Sequence, residues 1–132
     1  MKIHAIGLAR NTSRRVAMLS ASLVLAACAS MPAKVADGAL TDASGKTLYT
    51  FDKDVASSGK SVCNGPCIAN WPAFTAPADA AASGDYTVVT RDDGGKQWAL
   101  KGKPLYTFAK DTKPGDKTGD GFAGNIWHVA KP

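Results

Sequence analysis

The amino-acid sequence predicts a small single domain that is all-β or mostly β, built from two pseudo-symmetric hairpin-based repeats with one or two short helical turns. The segment 45–54 recurs at 102–111 with eight identical residues in ten. Short alternating runs of polar and apolar residues lie between Gly, Asp and Pro clusters, which is typical of hairpins. All 11 acidic residues are Asp, and Asp favours turns whereas Glu favours helices.

The first 27 residues are typical of a removable export signal. They carry four basic residues and no acid, and they end in an apolar run from Val16 to Ala27. This run is shorter than the roughly 20 apolar residues that a transmembrane helix needs. A basic region followed by a short apolar run indicates a secretory signal peptide, which we place at residues 1–27.

The signal peptide is predicted to end at Cys28. The string Leu25-Ala26-Ala27-Cys28 resembles the bacterial lipobox, and this resemblance implies that Cys28 is acylated and anchors the chain in a membrane. Several acyl chains hold a protein on a bilayer durably. Ala29 is not the Asp of an inner-membrane retention signal, so an outer-membrane location facing the periplasm is favoured. An ordinary secretory signal with a chance Cys, or a buried helix, is the alternative.

Removal of the signal peptide changes the charge balance. Four of the 16 basic residues precede Cys28 and no acid does, so the net charge falls from +5 to about +1. No basic cluster remains that would suggest a nucleic-acid partner. The sequence also contains no phosphate loop, dinucleotide fingerprint or Cys-x-x-Cys-His haem motif, and we expect no cofactor.

The mature chain is predicted to form one domain after a short tether. The tether covers residues 28–37 and the two-repeat β domain covers 38–132. Within the domain, repeat one spans about 38–76, a small-residue linker spans 77–84 and repeat two spans about 85–132.

The first repeat is predicted to open with a hairpin. Its strands are Ala39 to Thr41 and Lys46 to Phe51, joined by the turn 42–45. A short helix follows through Asn70, with Pro66 at its start. Pro72 then ends it.

The second repeat is predicted to contain a longer hairpin, with strands at 86–90 and 96–100 around the turn 91–95. A tight turn leads into a further strand over 104–108. A closing strand is predicted at 126–129.

Each copy of the repeated segment contains the motif Tyr-x-Phe-x-x-Asp: Tyr49, Phe51 and Asp54 in the first, and Tyr106, Phe108 and Asp111 in the second. Strand alternation places the Tyr and the Phe on one face. A buried phenol needs a hydrogen-bond partner, and the Asp just beyond the strand can turn back to it. We therefore predict a structural Tyr–Asp pair within each repeat; a ligand-facing pair is the alternative.

These motifs, together with further Cys, Trp and Gly-Asp positions, resemble the bacterial secreted-repeat lipoproteins, a family without an assigned function. The additional positions are Cys63, Cys67, Trp71-Pro72, Gly115-Asp116, Gly121 and Trp127-His128. The resemblance covers about residues 38–132. The second repeat departs from the first, because Gly119 and Ala123 stand where the cysteines would be.

Cys63 and Cys67 are predicted to form a disulfide, since they are a pair in an exported chain. Their five-residue ring is small, so the entropic stabilisation is about 2 kcal/mol. Two alternatives remain. The cysteines could be redox-active, although their spacing differs from Cys-x-x-Cys, or they could join His128 in a copper or zinc site.

The remaining candidate sites have simpler interpretations. Asp116 to Gly121 matches the opening of a calcium loop, but Trp127 stands where the bidentate Glu is required, which favours a plain loop. The three Trp residues are predicted to lie in the core; exposed, they could bind a sugar.

The sequence contains no hydrolase motif, and we expect a non-enzymatic envelope lipoprotein of unassigned biochemical role, which binds a protein or glycan partner or has a structural role at the cell surface. The alternative function is redox or metal handling, copper, zinc or haem-related, through Cys63, Cys67 and His128.

Overall fold

The computed structural model describes residues 31–132, so the predicted signal peptide and the lipidation site Cys28 lie outside the described residues. The described chain is mostly β with two short helices, as predicted. Its elements are β1 (Lys34–Ala36), β2 (Ala39–Thr41), β3 (Tyr49–Phe51), α1 (Pro66–Asn70), β4 (Tyr86–Thr90), β5 (Lys96–Leu100), β6 (Lys103–Pro104), α2 (Phe122–Asn125) and β7 (Trp127–Val129). Neither of the helices found in this part of the chain has the length and apolar character needed to cross a membrane.

The folded part begins earlier than the sequence predicted. The strand β1 lies inside the segment 28–37 that we expected to be a tether, and it pairs with β2 in an antiparallel hairpin. Asp37 and Gly38 join the two strands with positive φ angles of 50° and 75°. Asp-Gly is a favoured two-residue hairpin turn, and Ala33 just before β1 is buried. The tether assignment was therefore wrong for residues 33–37.

The second hairpin has the predicted strands. β4 and β5 pair over their whole lengths, from Tyr86↔Leu100 to Thr90↔Lys96. A tight turn leads to β6, but this strand ends at Pro104 and does not reach residue 108 as predicted. Beyond Pro104 the chain leaves this sheet and runs alongside the other repeat.

The first predicted hairpin is also shorter than expected. The side chain of Asp42 closes its turn by accepting hydrogen bonds from the backbone N–H groups of Ser44 and Lys46 at 2.9 Å. Pairing within the repeat continues as far as Leu48, whose N–H donates to the carbonyl of Leu40. The strand β3 then pairs with β7 of the second repeat instead.

The two repeats exchange their closing segments. β7, which closes repeat two, lies against β3 of repeat one, with Phe51 opposite Trp127. In the equivalent way, residues 70–74 of repeat one are hydrogen-bonded to residues 105–109 of repeat two. One of these bonds runs from the Ala109 N–H to the Asn70 carbonyl. In each repeat, the segment that contains the motif tyrosine is thus paired with the last segment of the other repeat. The two repeats therefore fold as one intertwined domain.

The two motif tyrosines lie at the centre of this exchange. Tyr49 N–H donates to the carbonyl of Tyr106 at 2.7 Å, and Tyr106 N–H donates to the carbonyl of Tyr49 at 2.9 Å. Such a reciprocal pair is the hydrogen-bonded position of an antiparallel ladder. It marks the pseudo-twofold axis that relates the repeats.

Four aromatic rings form a stacked column across this axis. Trp71 and Trp127 stack at the centre, with ring centroids 3.8 Å apart and planes within 3° of parallel. Phe51 stacks on the outer side of Trp127 and Phe108 on that of Trp71, each at 4.1 Å. The column alternates residues of both repeats, so it exists only when the closing segments are exchanged.

The aromatic column packs so closely against residue 119 that only a glycine fits there. A Cβ atom built on Gly119 would lie 2.6 Å from the Trp71 ring and 3.1 Å from the Phe108 ring. In repeat one the equivalent position is Cys63, which is fully buried in the same aromatic cluster. A side chain at position 119 would collide with the column, whereas the equivalent position of repeat one accommodates Cys63.

The helix α1 has the limits that the sequence predicted. Pro66 occupies its first turn and it ends at Asn70, before Pro72. The helix α2 is less regular, because Ala123 and Gly124 both adopt left-handed backbone conformations.

Candidate functional site

The motif tyrosines and aspartates pair between the repeats, and the predicted pairing within each repeat was wrong. Tyr49 Oη donates to Asp111 Oδ2 at 2.5 Å, and Tyr106 Oη donates to Asp54 Oδ2 at 2.5 Å. The exchange of closing segments turns each loop towards the opposite strand. The two pairs join the repeats, while the second oxygen of each carboxylate accepts a backbone N–H from its own loop.

The Tyr49–Asp111 pair is closed off from solvent. Asp111 is 2% exposed, and its other carboxylate oxygen accepts hydrogen bonds from the backbone and hydroxyl of Thr118. Gly119 N–H donates to the phenol oxygen at 3.2 Å. Burial, reinforced by the hydrogen bond to Asp111, raises the pKa of Tyr49 well above its usual range, so this phenol stays protonated at physiological pH.

The Tyr106–Asp54 pair has different neighbours. Asp54 also accepts the backbone N–H of Val62 at 2.8 Å, and the Ser61 hydroxyl contacts the phenol oxygen of Tyr106 at 2.5 Å. Burial raises the pKa of the Asp54 carboxyl, opposed by the hydrogen bonds from Tyr106 and Val62. Burial and Asp54 raise the pKa of the Tyr106 phenol.

A buried arginine extends this second network, and sequence reasoning did not single it out. The Arg91 side chain is 3% exposed. Its guanidinium donates to Ser61 Oγ at 3.0 Å and to Gln97 Oε1 at 2.7 Å, and it donates to the Cys63 carbonyl at 2.6 Å. An arginine at the head of a polar turn looks solvent-exposed in the sequence, so only the three-dimensional contacts show that it is structural.

Cys63 and Cys67 are joined by the predicted disulfide, with an S–S distance of 2.04 Å. The loop that they close is held by the Arg91 guanidinium at the Cys63 carbonyl and at Asn64 Oδ1, which lies 3.0 Å away. Cys63 is fully buried beside the aromatic column. The bridge therefore lies in a packed, hydrogen-bonded part of the first repeat.

His128 does not join the cysteines in a metal site. Within residues 31–132, no group of three or more His, Cys or Asp side chains is arranged to hold a metal ion. His128 Nε2 instead pairs with Asp52 Oδ2 at 2.7 Å. The carboxylates of the calcium-like loop are used within the fold, since Asp116 accepts two backbone N–H groups and Asp120 accepts one.

The His128–Asp52 pair lies in a cleft of about 400 Å³ on the outer face of the β3–β7 sheet. The cleft is lined by Thr50, Asp52, Leu100, Lys101, Lys103, His128, Val129, Ala130 and Lys131. The register pairs Thr50 with His128, and strand alternation sends both away from the aromatic column. The β5–β6 turn supplies the opposite wall.

This cleft is positively charged. Lys101, Lys103 and Lys131 are all exposed at its edge, and Asp52, the acid that faces them, is engaged by His128. The lysines come from two parts of the chain, so the sequence shows no cluster. A cleft with convergent cations and an apolar floor has the properties of a site for an anionic ligand.

The cleft has no counterpart on the pseudo-symmetric face. By the spacing of the two tryptophans, Pro72 stands where His128 does, and by the motif spacing Ala109 stands where Asp52 does. Neither can carry charge or donate from its side chain. The described part of the domain therefore carries this arrangement of side chains on one face.

The tryptophans do not form an exposed sugar platform. Trp71 and Trp127 are 3% and 2% exposed and stack on each other. Trp98 is half-buried, with the ring of Tyr86 edge-on at 6.4 Å. All three serve the packing of the domain.

The fold and its surface together define a class: a small β domain of two intertwined repeats with one cationic cleft. A family model described as a secreted repeat of unknown function matches residues 31–75 and 87–131. The chain thus belongs to this family of secreted-repeat lipoproteins, as the motif resemblance implied. No curated protein and no solved structure matches it.

The first segment matched by the family model also indicates where the folded domain begins. The first copy begins at residue 31, and so includes β1. This agrees with the pairing of β1 and β2, and it places that hairpin within the first repeat.

Proposed function

We propose that this protein is a lipid-anchored binding protein of the bacterial cell envelope, without enzymatic activity, and that its cleft takes an anionic ligand bearing phosphate or carboxylate groups. The observation that carries the proposal is the convergence of three exposed lysines on one cleft. The one acid among them, Asp52, contacts His128 at 2.7 Å, so the lining has three lysines against one carboxylate.

A non-enzymatic role is supported by how the reactive-looking groups are used. Both phenols and Asp111 are buried and Asp54 is half-buried, and both carboxylates accept hydrogen bonds from the fold itself. The raised pKa of both phenols keeps them protonated. A general base must reach the proton that it removes, and these groups face other protein atoms.

The anchor is proposed at Cys28, on the outer membrane facing the periplasm. Support comes from the lipobox resemblance of residues 25–28 and from membership of a secreted lipoprotein family. This location would place the cleft among the phosphate- and carboxylate-bearing polymers and lipids of the envelope.

A binding titration with a soluble form tests the cleft. Both core clusters are formed within residues 31–132, so residues 29–132 are expected to fold without the anchor. Polyphosphate and polyglutamate serve as phosphate and carboxylate probes, with amide shifts followed by NMR. We expect shifts at Lys101, His128 and Val129 that weaken as salt is added.

Charge removal gives the decisive variant. Replacing Lys101, Lys103 and Lys131 by Gln should weaken binding at least about tenfold, as expected for three lost charges at low salt. The matched control replaces three exposed lysines away from the cleft, Lys110, Lys113 and Lys117. Equal loss in both triple variants, or no binding of either probe, would contradict the proposal.

A further inference from the structure

An apolar hollow lies beside the cleft, at the N-terminal edge of the described chain. Its volume is about 230 Å³, and its floor is made of buried Ala33, Leu40 and Tyr86. At its rim are Met31 and Val35, which are 59% and 61% exposed, and the charged side chains of Asp85 and Lys101. Large apolar side chains exposed around an apolar hollow are typical of a surface that is covered by a partner.

The hollow and the cleft are neighbours. Leu100 and Lys101 line both of them, so the exposed apolar rim and the cationic cleft belong to one continuous surface. We call it the anchor-side surface, and it consists of the hollow, its rim and the three cleft lysines. Apolar groups bordered by lysines are the pattern of proteins that lie on an anionic membrane.

The predicted lipid anchor at Cys28 would hold this surface close to the membrane. Cys28 is three residues before Met31, and three residues span at most about 10 Å when fully extended. Acylation of Cys28 therefore holds Met31 and the hollow within about that distance of the lipid headgroups. Other exposed apolar residues of the domain, such as Val55 and Val62, belong to the loop between β3 and α1.

We propose that the anchor-side surface docks on the bilayer that holds the lipid anchor, with Met31 and Val35 entering the interfacial region and the cleft lysines binding the phosphate of an anionic phospholipid. This inference rests on the anionic cleft proposed above and identifies its ligand as a lipid headgroup. A phospholipid bilayer would contact both the lysines and the apolar rim. A soluble anionic polymer would contact only the lysines.

Vesicle binding by residues 29–132 tests the docking without the covalent anchor. The probes are vesicles of phosphatidylcholine alone and vesicles that also contain phosphatidylglycerol. We expect salt-sensitive binding to the second kind and weak binding to the first. The triple Lys→Gln variant should lose this preference, because the attraction of anionic lipid scales with the number of basic residues at the surface.

The apolar rim supplies a variant that separates docking from simple anion binding. Met31→Ser with Val35→Ser should weaken binding to the anionic vesicles about tenfold, since two exposed apolar side chains no longer transfer from water, and should leave polyphosphate binding unchanged. The matched control is Val55→Ser with Val62→Ser, which removes exposed apolar groups elsewhere and should leave vesicle binding intact.

The outcomes distinguish this inference from the proposed function. Binding to polyphosphate or polyglutamate without binding to anionic vesicles overturns the docking but retains the anionic cleft. Absence of binding to every probe overturns both. Self-association that is abolished by the Met31 and Val35 replacements would assign the hollow to a second copy of the chain and overturn the docking as well.

Discussion

The two Tyr–Asp pairs have the same motif and the same central hydrogen bond, but they are supported differently. Asp111 and Tyr49 are held by the loop residues Thr118 and Gly119 and by close packing against the aromatic column. The pair formed by Asp54 and Tyr106 is instead part of a polar network that reaches Arg91. A duplicated motif thus keeps its central contact while its surroundings diverge.

The features that the two repeats share also differ in location from the features that occur only once. Features that both repeats share are buried: the tyrosine pair, the stacked rings and the exchanged segments. Features that occur on one side are the disulfide with its arginine and, on the outer face, the cationic cleft. The pseudo-symmetry is retained where the two repeats pack against each other. The cationic cleft lies outside these contacts and therefore needs no second copy.

Removal of Arg91 should have the largest effect, because it breaks the network of the Tyr106 side. Arg91→Met removes the buried donor to Gln97 Oε1 and to the Cys63 carbonyl, and it removes one of the partners of Ser61 Oγ, which keeps Tyr106. We expect a loss of roughly 3–5 kcal/mol in the free energy of unfolding, as for other broken buried charged networks. Urea denaturation measures it. Arg91→Lys should lose less, since it retains the charge; no loss with Met would show that the network does not support the fold.

Double-mutant cycles should confirm that the pairs cross between repeats. Hydrogen bonds to charged groups contribute about 1.5–3 kcal/mol, so Tyr49→Phe with Asp111→Asn should show a coupling energy in that range, and Tyr106→Phe with Asp54→Asn likewise. The matched control is the pair within one repeat, Tyr49→Phe with Asp54→Asn, for which we expect additivity. Strong coupling in that control would contradict the exchange.

Loss of the disulfide should have a smaller effect. Cys63→Ala with Cys67→Ala releases a five-residue ring, which predicts a loss of about 2 kcal/mol in the free energy of unfolding. The second repeat keeps its fold with Gly119 and Ala123 in the equivalent places. We therefore expect the variant to unfold in one cooperative transition and to bind polyphosphate normally. Loss of binding in a folded variant would show that the cleft depends on the disulfide, which contradicts this prediction.

The smallest effect should be a pH dependence that arises from Asp54. Burial raises the pKa of this carboxyl in the folded state, so the protonated form is favoured by folding. The resulting stabilisation is complete below the ordinary Asp pKa of about 3.9 and is lost as the pH rises through the higher folded value. Denaturation of the wild type and Asp54→Asn from acid to neutral pH should show their difference changing across this interval. A constant difference would contradict it, and Asp79→Asn in the exposed linker provides the control.

Local signals predicted much of the fold. The β4–β5 hairpin and α1 appear where alternation, turn residues and Pro66 placed them. The first hairpin, β1–β2, was missed although its signal was present. Asp37-Gly38 is a favoured hairpin turn, but β1 is only three residues long and lies inside the segment 28–37 that was expected to be a lipidated tether.

The candidate site was less predictable. The lysines of the cleft are separated by up to 30 positions, from Lys101 to Lys131, and the sequence holds no pattern that links them. Arg91 was equally hidden, since its partners Ser61 and Cys63 lie about thirty residues earlier. Such contacts depend on where the β4–β5 hairpin packs, which short-range patterns do not determine.

The sequence by itself predicted that the domain is a tandem of two β repeats and which residues form the shared motif, and it favoured a bond between Cys63 and Cys67. The tertiary structure decided which Asp each Tyr meets. Because the two motifs are nearly identical, each Tyr has an equally suitable Asp five residues later and another in the other repeat. Local sequence cannot distinguish them, and the choice is made by the exchange of closing segments around the stacked column of Phe51, Trp127, Trp71 and Phe108.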